Sequence, residues 1–325
     1  MNKYLIREKK PVKGLLAIEW TVMAYLAITM LMIMFCYTQL VTPGDMIFGR
    51  VSVLVATLLA WGAYRLYPCR AIIGLRVGVQ SSFMAWWYAD TYELNRILPN
   101  LDHVFARAEQ WMFGCQPSLL FSQACPWDVF SEMLYLGYYS YFYLIVMNAV
   151  LYFFLRYEDF TKACAVTTGS FFLYYLIFDL LPVTGPQYYY EAIGIDNVVK
   201  GIFPDVGNYF LNHNEMMHAP GMEGGIFRSL IESGSVHDGE RPTAAFPSSH
   251  IGLSTVVAFM LYRLCRHRRD WRPMYVFLPL YLLLSMATVY IHAHYLIDAL
   301  AGFITGALFY YLFWYLLPVE KMEKR

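Results

Sequence analysis

Long apolar runs recur along this 325-residue chain, and several approach the roughly 20 residues that a helix needs to cross a bilayer. Charged residues make up only 15% of the chain and aromatic residues 18%, unlike an ordinary soluble domain. The predicted spans cover residues 14–40, 51–67, 71–89, 130–154, 163–183, 251–265, 274–290 and 296–317. The sequence therefore predicts an all-α fold, a polytopic membrane helical bundle with about eight transmembrane helices.

The positive charges indicate how the chain is oriented in the membrane. They concentrate at the chain ends and in the loops that follow the second, fourth and sixth predicted spans. These residues are Arg65, Arg70, Arg76, Arg156, Lys162, Arg263, Arg266, Arg268, Arg269, Arg272, Lys321, Lys324 and Arg325. Cytoplasmic loops carry such an excess, so both termini are predicted to be cytoplasmic. The polar segments 90–128 and 184–245 then lie on the outer face, periplasmic or lumenal. No basic patch with interleaved aromatic residues is visible, which argues against a nucleic-acid partner.

The segment 90–128 contains a predicted amphipathic helix. Its apolar positions recur at helical spacing with charged residues between them: Leu101, Val104, Phe105, Ala108, Trp111 and Met112, separated by Asp102, Arg107 and Glu109. This pattern predicts a helix lying along the membrane surface. Cys115 and Cys125 follow, and the sequence leaves open whether they pair or stay as thiols.

The stretch 243–254, TAAFPSSHIGLS, places polar residues at the start of the sixth predicted span. Pro247 suits the first turn of a helix, where its missing N–H costs nothing. Ser248, Ser249 and His250 would then stand at a helix N-terminus, whose free N–H groups favour a phosphate. His250 would be placed to protonate a leaving oxygen. The alternative is a capped helix with an incidental histidine.

The stretch 287–302, ATVYIHAHYLIDALAG, carries ionisable residues in apolar surroundings. His294 and Asp298 are four residues apart, so on a helix they share one face. A carboxylate that binds one ring nitrogen fixes the tautomer and leaves the other nitrogen free to attack. The alternative is a helix start in which Asp298 caps and His294 is a polar interface residue.

One predicted helical hairpin with a basic inner turn separates these two stretches, so both histidines reach the same side of the bilayer. That arrangement suits phosphoryl transfer, with one histidine attacking phosphorus and the other protonating the departing group.

FPSSH resembles the proline-serine-x-histidine motif of the type 2 phosphatidic acid phosphatase superfamily, and HYLID resembles its histidine-x-x-x-aspartate motif. The resemblance implies a six-helix phosphatase-like core and metal-independent cleavage of a lipid phosphoester, with no cofactor. His294 would form the phosphohistidine, Asp298 would orient its ring and His250 would be the general acid. We accordingly divide the chain into an N-terminal helix pair, 1–68, and a phosphotransferase-like core, 69–325.

Two departures from the superfamily pattern resemble its inositol phosphorylceramide synthase branch. Ala287 and Thr288 stand where serine and arginine usually precede the histidine. The superfamily also has a lysine motif, a lysine followed by arginine-proline, and LLPVTGPQYYY stands in its place. That branch moves a phospho-headgroup from a glycerophospholipid to a ceramide-type alcohol. Lipid substrates are therefore expected, and protein partners are not predicted.

The residues expected to bind substrate lie beside these motifs: Ser248, Ser249, Arg241, Gln187 and Tyr188. Arg241 is the cation nearest in sequence to the second motif, and Arg228 and Lys200 are alternatives for binding phosphate.

Three other functions stay open. A lipid phosphatase would use the same first half-reaction with water as acceptor, and a transporter or scaffold would explain the hydrophobicity alone. A metalloenzyme would use HxH or HxxxD spacing, and the additional histidines are His292, His213, His218 and His237.

Overall fold

The computed structural model describes residues 4–238 and 241–318, apart from the side chains of 234–238. The basic tail residues Lys321, Lys324 and Arg325 and the side chain of His237 therefore lie outside the described residues. All regular structure in the described ranges is helical. The α-helices are α1 (Ala17–Cys36), α2 (Pro43–Leu66), α3 (Arg70–Ser82), α4 (Met84–Asn95), α5 (Asp102–Phe113), α6 (Pro117–Ala124), α7 (Asp128–Tyr139), α8 (Tyr141–Leu155), α9 (Phe160–Leu180), α10 (Pro186–Ile193), α11 (Ile195–Val199), α12 (Ile226–Asp238), α13 (Ser249–Arg268), α14 (Arg272–Tyr290) and α15 (Leu296–Leu316).

The predicted fold class is confirmed, because several of these helices are long and apolar enough to cross a membrane. Among the described residues they are α1, α2, α9, α14 and α15. The pair α7 and α8, bent by 45° at its break, makes a sixth span if it crosses as one. The chain is thus an integral, polytopic helical membrane protein.

The other two predicted spans, 71–89 and 251–265, are helical, but their helices do not meet the requirements of length and apolarity for crossing a membrane. Residues 71–89 are divided between α3 and α4 by a break at Phe83. A helix of the length of α3 rises only about 20 Å, short of the hydrocarbon core. The span 251–265 lies within α13, which does not meet the same test of length and apolarity. The count of eight spans stays a prediction, as does the division of the chain at residue 69.

The chain forms two compact units. The first comprises Met1–Leu94, Met147–Leu173 and Phe309–Arg325. Two buried arginine–carboxylate pairs join its helices: Arg50 with Asp90 at 2.6 and 2.9 Å, and Arg76 with Glu19 at 2.5 and 2.8 Å. Such bidentate pairs allow a cation and an anion to be buried together in apolar surroundings.

The second unit, Asn95–Val146 and Tyr174–Leu308, contains both histidine stretches. Small residues let its helices approach closely, as is common in membrane bundles. Gly137 of α7 lies against the backbone of Leu283 in α14, where a side chain would clash. On α15, Gly302 lies against Ser248 and Gly306 against Gly252 of α13, so the starts of α13 and α15 come together.

Helix α5 forms as predicted, but its carboxylates point into the second unit. Asp102 and Glu109 are fully buried, and Ala106 lies between them on the same face. The exposed positions include Val104 and Trp111, and the latter is 86% exposed. The helix therefore turns both carboxylates inward, while Val104 and Trp111 face outward. Its place along the membrane surface stays a prediction.

Candidate functional site

The loop between α14 and α15 carries His294. It is short, because α14 ends at Tyr290 and α15 begins at Leu296. Within it, the His294 N–H donates to the carbonyl of Thr288 at 3.0 Å, which ties the loop back onto α14. The carbonyl of His292 accepts from the backbone N–H of Gln187 at 2.8 Å. The loop is thus held from two sides, and the histidine has little freedom to move.

The segment before α13 places His250 opposite this loop. Ser248 is the N-cap of α13, and its hydroxyl accepts from the N–H of Ile251 at 3.5 Å. The Ser248 N–H donates to the carbonyl of Asp298 at 3.0 Å. This contact, with the glycine packing described above, sets the start of α13 against the start of α15. The two stretches singled out in the sequence therefore meet.

The two histidines are adjacent. Nε2 of His294 lies 3.4 Å from Nδ1 of His250, and the ring centroids are 5.6 Å apart. Nδ1 of His294 lies 2.8 Å from the carbonyl oxygen of Ala245. Because a carbonyl can only accept, a neutral His294 ring that makes this bond carries its proton on Nδ1. Nε2 then carries a lone pair that faces Nδ1 of His250, and this is the lone pair that a nucleophile uses.

Asp298 lies beside the same nitrogen, although it is not the closest acceptor. Its Oδ2 is 3.7 Å from Nδ1 of His294 and accepts from the Tyr295 N–H at 2.9 Å. The aspartate thus caps α15 with its carboxylate near the imidazole, while the Ala245 carbonyl makes the hydrogen bond to Nδ1. That Asp298 orients the ring stays a prediction. The other oxygen of Asp298, Oδ1, is buried and makes no hydrogen bond within the described residues.

Burial keeps the His294 ring neutral. It lowers the pKa of His294 to about 4, and the Ala245 carbonyl opposes the shift only in part. Burial likewise lowers the pKa of His292 to about 4. An unprotonated His294 at neutral pH retains the lone pair that a nucleophile uses.

Two tyrosines that sequence reasoning missed hold His250. The ring of Tyr138 stacks on it at a centroid distance of 4.8 Å, and the ring of Tyr141 packs at 4.5 Å. Tyr138 lies in the last turn of α7 and Tyr141 is the first residue of α8, on either side of the break at Ser140. The bend therefore presents aromatic faces to the imidazole. No local pattern in the sequence pairs these tyrosines with a histidine more than 100 residues away.

Asp102, also missed as a functional residue, joins three segments around the site. It accepts from the Thr184 N–H and hydroxyl at 2.6 and 2.9 Å and from the Gly185 N–H at 2.9 Å. The Tyr295 hydroxyl, next to His294, donates to it at 3.0 Å. Gly185 has φ +92° and lies so close to the Ala293 carbonyl that a side chain would clash. The turn at Thr184 and Gly185 is thus built against the histidine loop.

Glu109 is a fourth residue that the sequence did not single out as functional. Its Oε1 accepts from the Leu296 N–H at 2.5 Å, at the start of α15. The side chain is buried, and Oε2 makes no hydrogen bond within the described residues. A second carboxyl group therefore lies at the helix start that carries Asp298.

The predicted substrate-binding residues are placed unequally. Ser248 and Ser249 stand at the start of α13 beside His250. Gln187 lies next to the histidine loop through its backbone bond, whereas Tyr188 is buried and its ring packs edge-on against Phe210. Arg241 is exposed. That these five residues bind substrate stays a prediction.

Arg228, one of the alternative phosphate-binding cations, is engaged with several groups, and its Nη2 lies 3.4 Å from Nε2 of His218. Arg228 donates to Glu232 at 2.7 Å and to the Gly221 carbonyl at 2.9 Å. His292 is buried, with Nε2 3.5 Å from the Ser122 hydroxyl. Among the described residues no three His, Cys, Asp or Glu side chains are grouped to hold a metal ion. Cys115 and Cys125 are both free thiols.

These observations define a class: an integral membrane protein of helices in which two histidines and an aspartate meet at adjoining helix starts. The sequence profile of the PAP2 superfamily matches residues 103–312, and the chain belongs to this superfamily. No curated protein and no solved structure matches the chain. Membership supports an enzyme with phosphatase- or phosphotransferase-type chemistry on lipid phosphates, and membrane lipids as its substrates.

Proposed function

We propose that the protein is a lipid phosphotransferase that moves a phospho-headgroup from a glycerophospholipid to a ceramide-type alcohol through a phosphohistidine on His294. The observation that carries the proposal is the 3.4 Å approach of His294 Nε2 to His250 Nδ1. It supports a nucleophile and a proton donor acting on one phosphorus atom.

In the first half-reaction, Nε2 of His294 attacks phosphorus and the bond from phosphorus to the diacylglycerol oxygen breaks. Burial and the neighbouring His294 lower the pKa of His250 to about 3, so His250 must take up its proton with the bound phosphate, whose negative charge favours the protonated ring. It then gives that proton to the oxygen as it leaves. The ring of His294 gains positive charge, which the Asp298 carboxylate, 3.7 Å from Nδ1, stabilises. The Ala245 carbonyl keeps the ring in orientation.

In the second half-reaction, His250 takes the proton of the acceptor hydroxyl as its oxygen attacks the phosphohistidine. The phosphorus–nitrogen bond breaks and His294 is regenerated. Proton balance is restored within one turnover, because the proton released to the donor's leaving group is replaced by the acceptor's.

Transfer is favoured over hydrolysis by two features. The first is the turn 182–187, which packs against the histidine loop. Its sequence resembles the inositol phosphorylceramide synthase branch, whose members transfer a headgroup, and it stands where the superfamily usually has its lysine motif. Second, a phosphohistidine that opens toward the outer leaflet would meet little water and many lipid alcohols. We place the active site on the outer face and both termini in the cytoplasm. Inositol phosphate as the headgroup rests on the resemblance to the inositol phosphorylceramide synthase branch.

The second candidate is a lipid phosphatase or diphosphatase, in which water attacks the same intermediate. Superfamily membership favours this reaction as much as transfer. A non-catalytic transporter or scaffold would leave the paired histidines unexplained.

The test uses purified protein with headgroup-labelled phosphatidylinositol, with and without ceramide, and His294→Ala as the matched control. Label in a phosphorylated sphingolipid that requires both ceramide and His294 supports the transferase. Release of water-soluble phosphate at one rate with or without ceramide would refute transfer and leave the phosphatase.

A further inference from the structure

Two carboxyl groups from different helices crowd the start of α15. Glu109 of α5 accepts from the Leu296 N–H at 2.5 Å, and Asp298 accepts from the Tyr295 N–H at 2.9 Å. Their donors are consecutive backbone groups, so the two side chains cap the same turn. Each has a second oxygen, Glu109 Oε2 and Asp298 Oδ1, that is buried without a hydrogen bond in the described part of the chain.

Two negative charges at this place would be unfavourable. Both side chains are fully buried, and like charges that share a buried site cannot both ionise easily. The helix N-terminus favours one anion through its free N–H groups and its dipole. One buried proton would remove the second charge and supply a donor for an oxygen that has none.

We propose that Glu109 is a positioning residue for the catalytic pair: Glu109 and Asp298 hold one proton between them, so that a single negative charge faces His294. The proposal rests on the proposed function, in which that charge stabilises the phosphohistidine. A second charge would stand beside the incoming phosphate and repel it.

The other titratable groups around Glu109 do not neutralise it. Tyr190 of α10 and Asp298 of α15 interact electrostatically with Glu109, and neither is a cation. Asp102 lies on the same buried face of α5, and His294 and Tyr295 belong to the loop before α15. Burial, followed by the charge of Asp298, raises the pKa of Glu109 to about 8, and the N–H groups of residues 296 and 297 oppose this only in part. The second charge is therefore expected to appear as pH rises through about 8.

The first test is spectroscopic and needs no activity. Infrared spectra of the purified wild type should show the carbonyl band of a buried carboxylic acid at pH 7, lost on titration to pH 10. The difference spectrum of wild type minus Glu109→Gln should contain that band, because glutamine still accepts the Leu296 N–H but carries no proton. Glu191→Gln, at an exposed acid of the same unit, should retain it. A band that persists unchanged in Glu109→Gln would overturn the proposal.

The second test is kinetic. Between pH 7 and pH 9 the wild-type KM for an anionic phospholipid donor should rise about tenfold, as expected for one ionisation near pH 8. Glu109→Gln should remove this rise, whereas Glu109→Asp should retain it. An identical KM profile in wild type and Glu109→Gln would refute the proposal. If no lipid is turned over but the infrared result holds, the proposed function fails and the shared proton stands.

Discussion

Asp102→Asn is the perturbation that tests how the site is held together. Asp102 Oδ2 accepts from the Thr184 N–H and hydroxyl and from the Asn100 side-chain amide, and Oδ1 accepts from the Gly185 N–H and the Tyr295 hydroxyl. Asparagine keeps one oxygen and replaces the other by an NH2 group. In either orientation at least two donors then face a donor.

The expected loss follows from those bonds. A hydrogen bond to a charged group contributes about 1.5–3 kcal/mol, so losing two costs about 3–6 kcal/mol. Removing a buried charge offsets part of this, since burial raises the pKa of Asp102 and so disfavours its charged form. We expect the free energy of unfolding to fall by about 2–4 kcal/mol, and the turn at 184–185 to loosen from Tyr295 and the histidine loop.

The assay is thermal unfolding in detergent, followed by a fluorescent thiol or tryptophan probe, together with turnover of the lipid donor. Glu191→Gln is the control for removing one acidic charge. A stability change below about 0.5 kcal/mol, the range of a surface substitution, would show that the Asp102 contacts do not hold the site together.

Local patterns predicted the two ends of the site but not its support. His294 with Asp298, and Ser248 with His250, lie within one helical turn of each other, so spacing alone brings each pair together. Asp102 and Glu109 are 193 and 187 residues from their contacts, Tyr295 and Leu296. No periodicity within the sequence reports a contact at that distance.

The inward face of α5 shows why an amphipathic pattern is ambiguous in a membrane protein. In a soluble protein the charged side of an amphipathic helix faces solvent, whereas near lipid it can face the protein interior. The sequence shows the same periodicity of apolar and charged residues in both situations. Near lipid, apolar side chains such as Val104 can face outward while Asp102 and Glu109 turn to buried donors. The fold class followed from apolar run length alone, whereas the breaks at Phe83 and Ser140 were not visible in hydropathy.

Three further outcomes are expected. Tyr141→Leu should lower kcat more than it changes KM, because it removes the ring whose centroid lies 4.5 Å from that of His250. Steady-state kinetics on the folded variant tests this, and an equal change in both constants would contradict it. The acid limb of the kcat/KM profile should lie near pH 4, because burial lowers the pKa of His294 to about 4 and protonation below that pH removes its lone pair. An acid limb near pH 6.5, the pKa of an ordinary histidine, would be inconsistent with a buried neutral nucleophile. A reporter that fluoresces only in the cytoplasm should be bright when fused to the C-terminus, and a dark fusion in a well-expressed protein would overturn the topology.

The central claim is that phosphorus passes through His294, and a rapid-quench labelling experiment tests it most directly. Wild-type protein mixed with a phosphorus-labelled donor lipid, without acceptor, should carry label that is stable in alkali and released by acid, as a phosphorus–nitrogen bond is. His294→Ala, shown to be folded by thermal unfolding, should carry none and turn over no donor. Equal labelling of the wild type and His294→Ala, or full turnover by His294→Ala, would contradict the account.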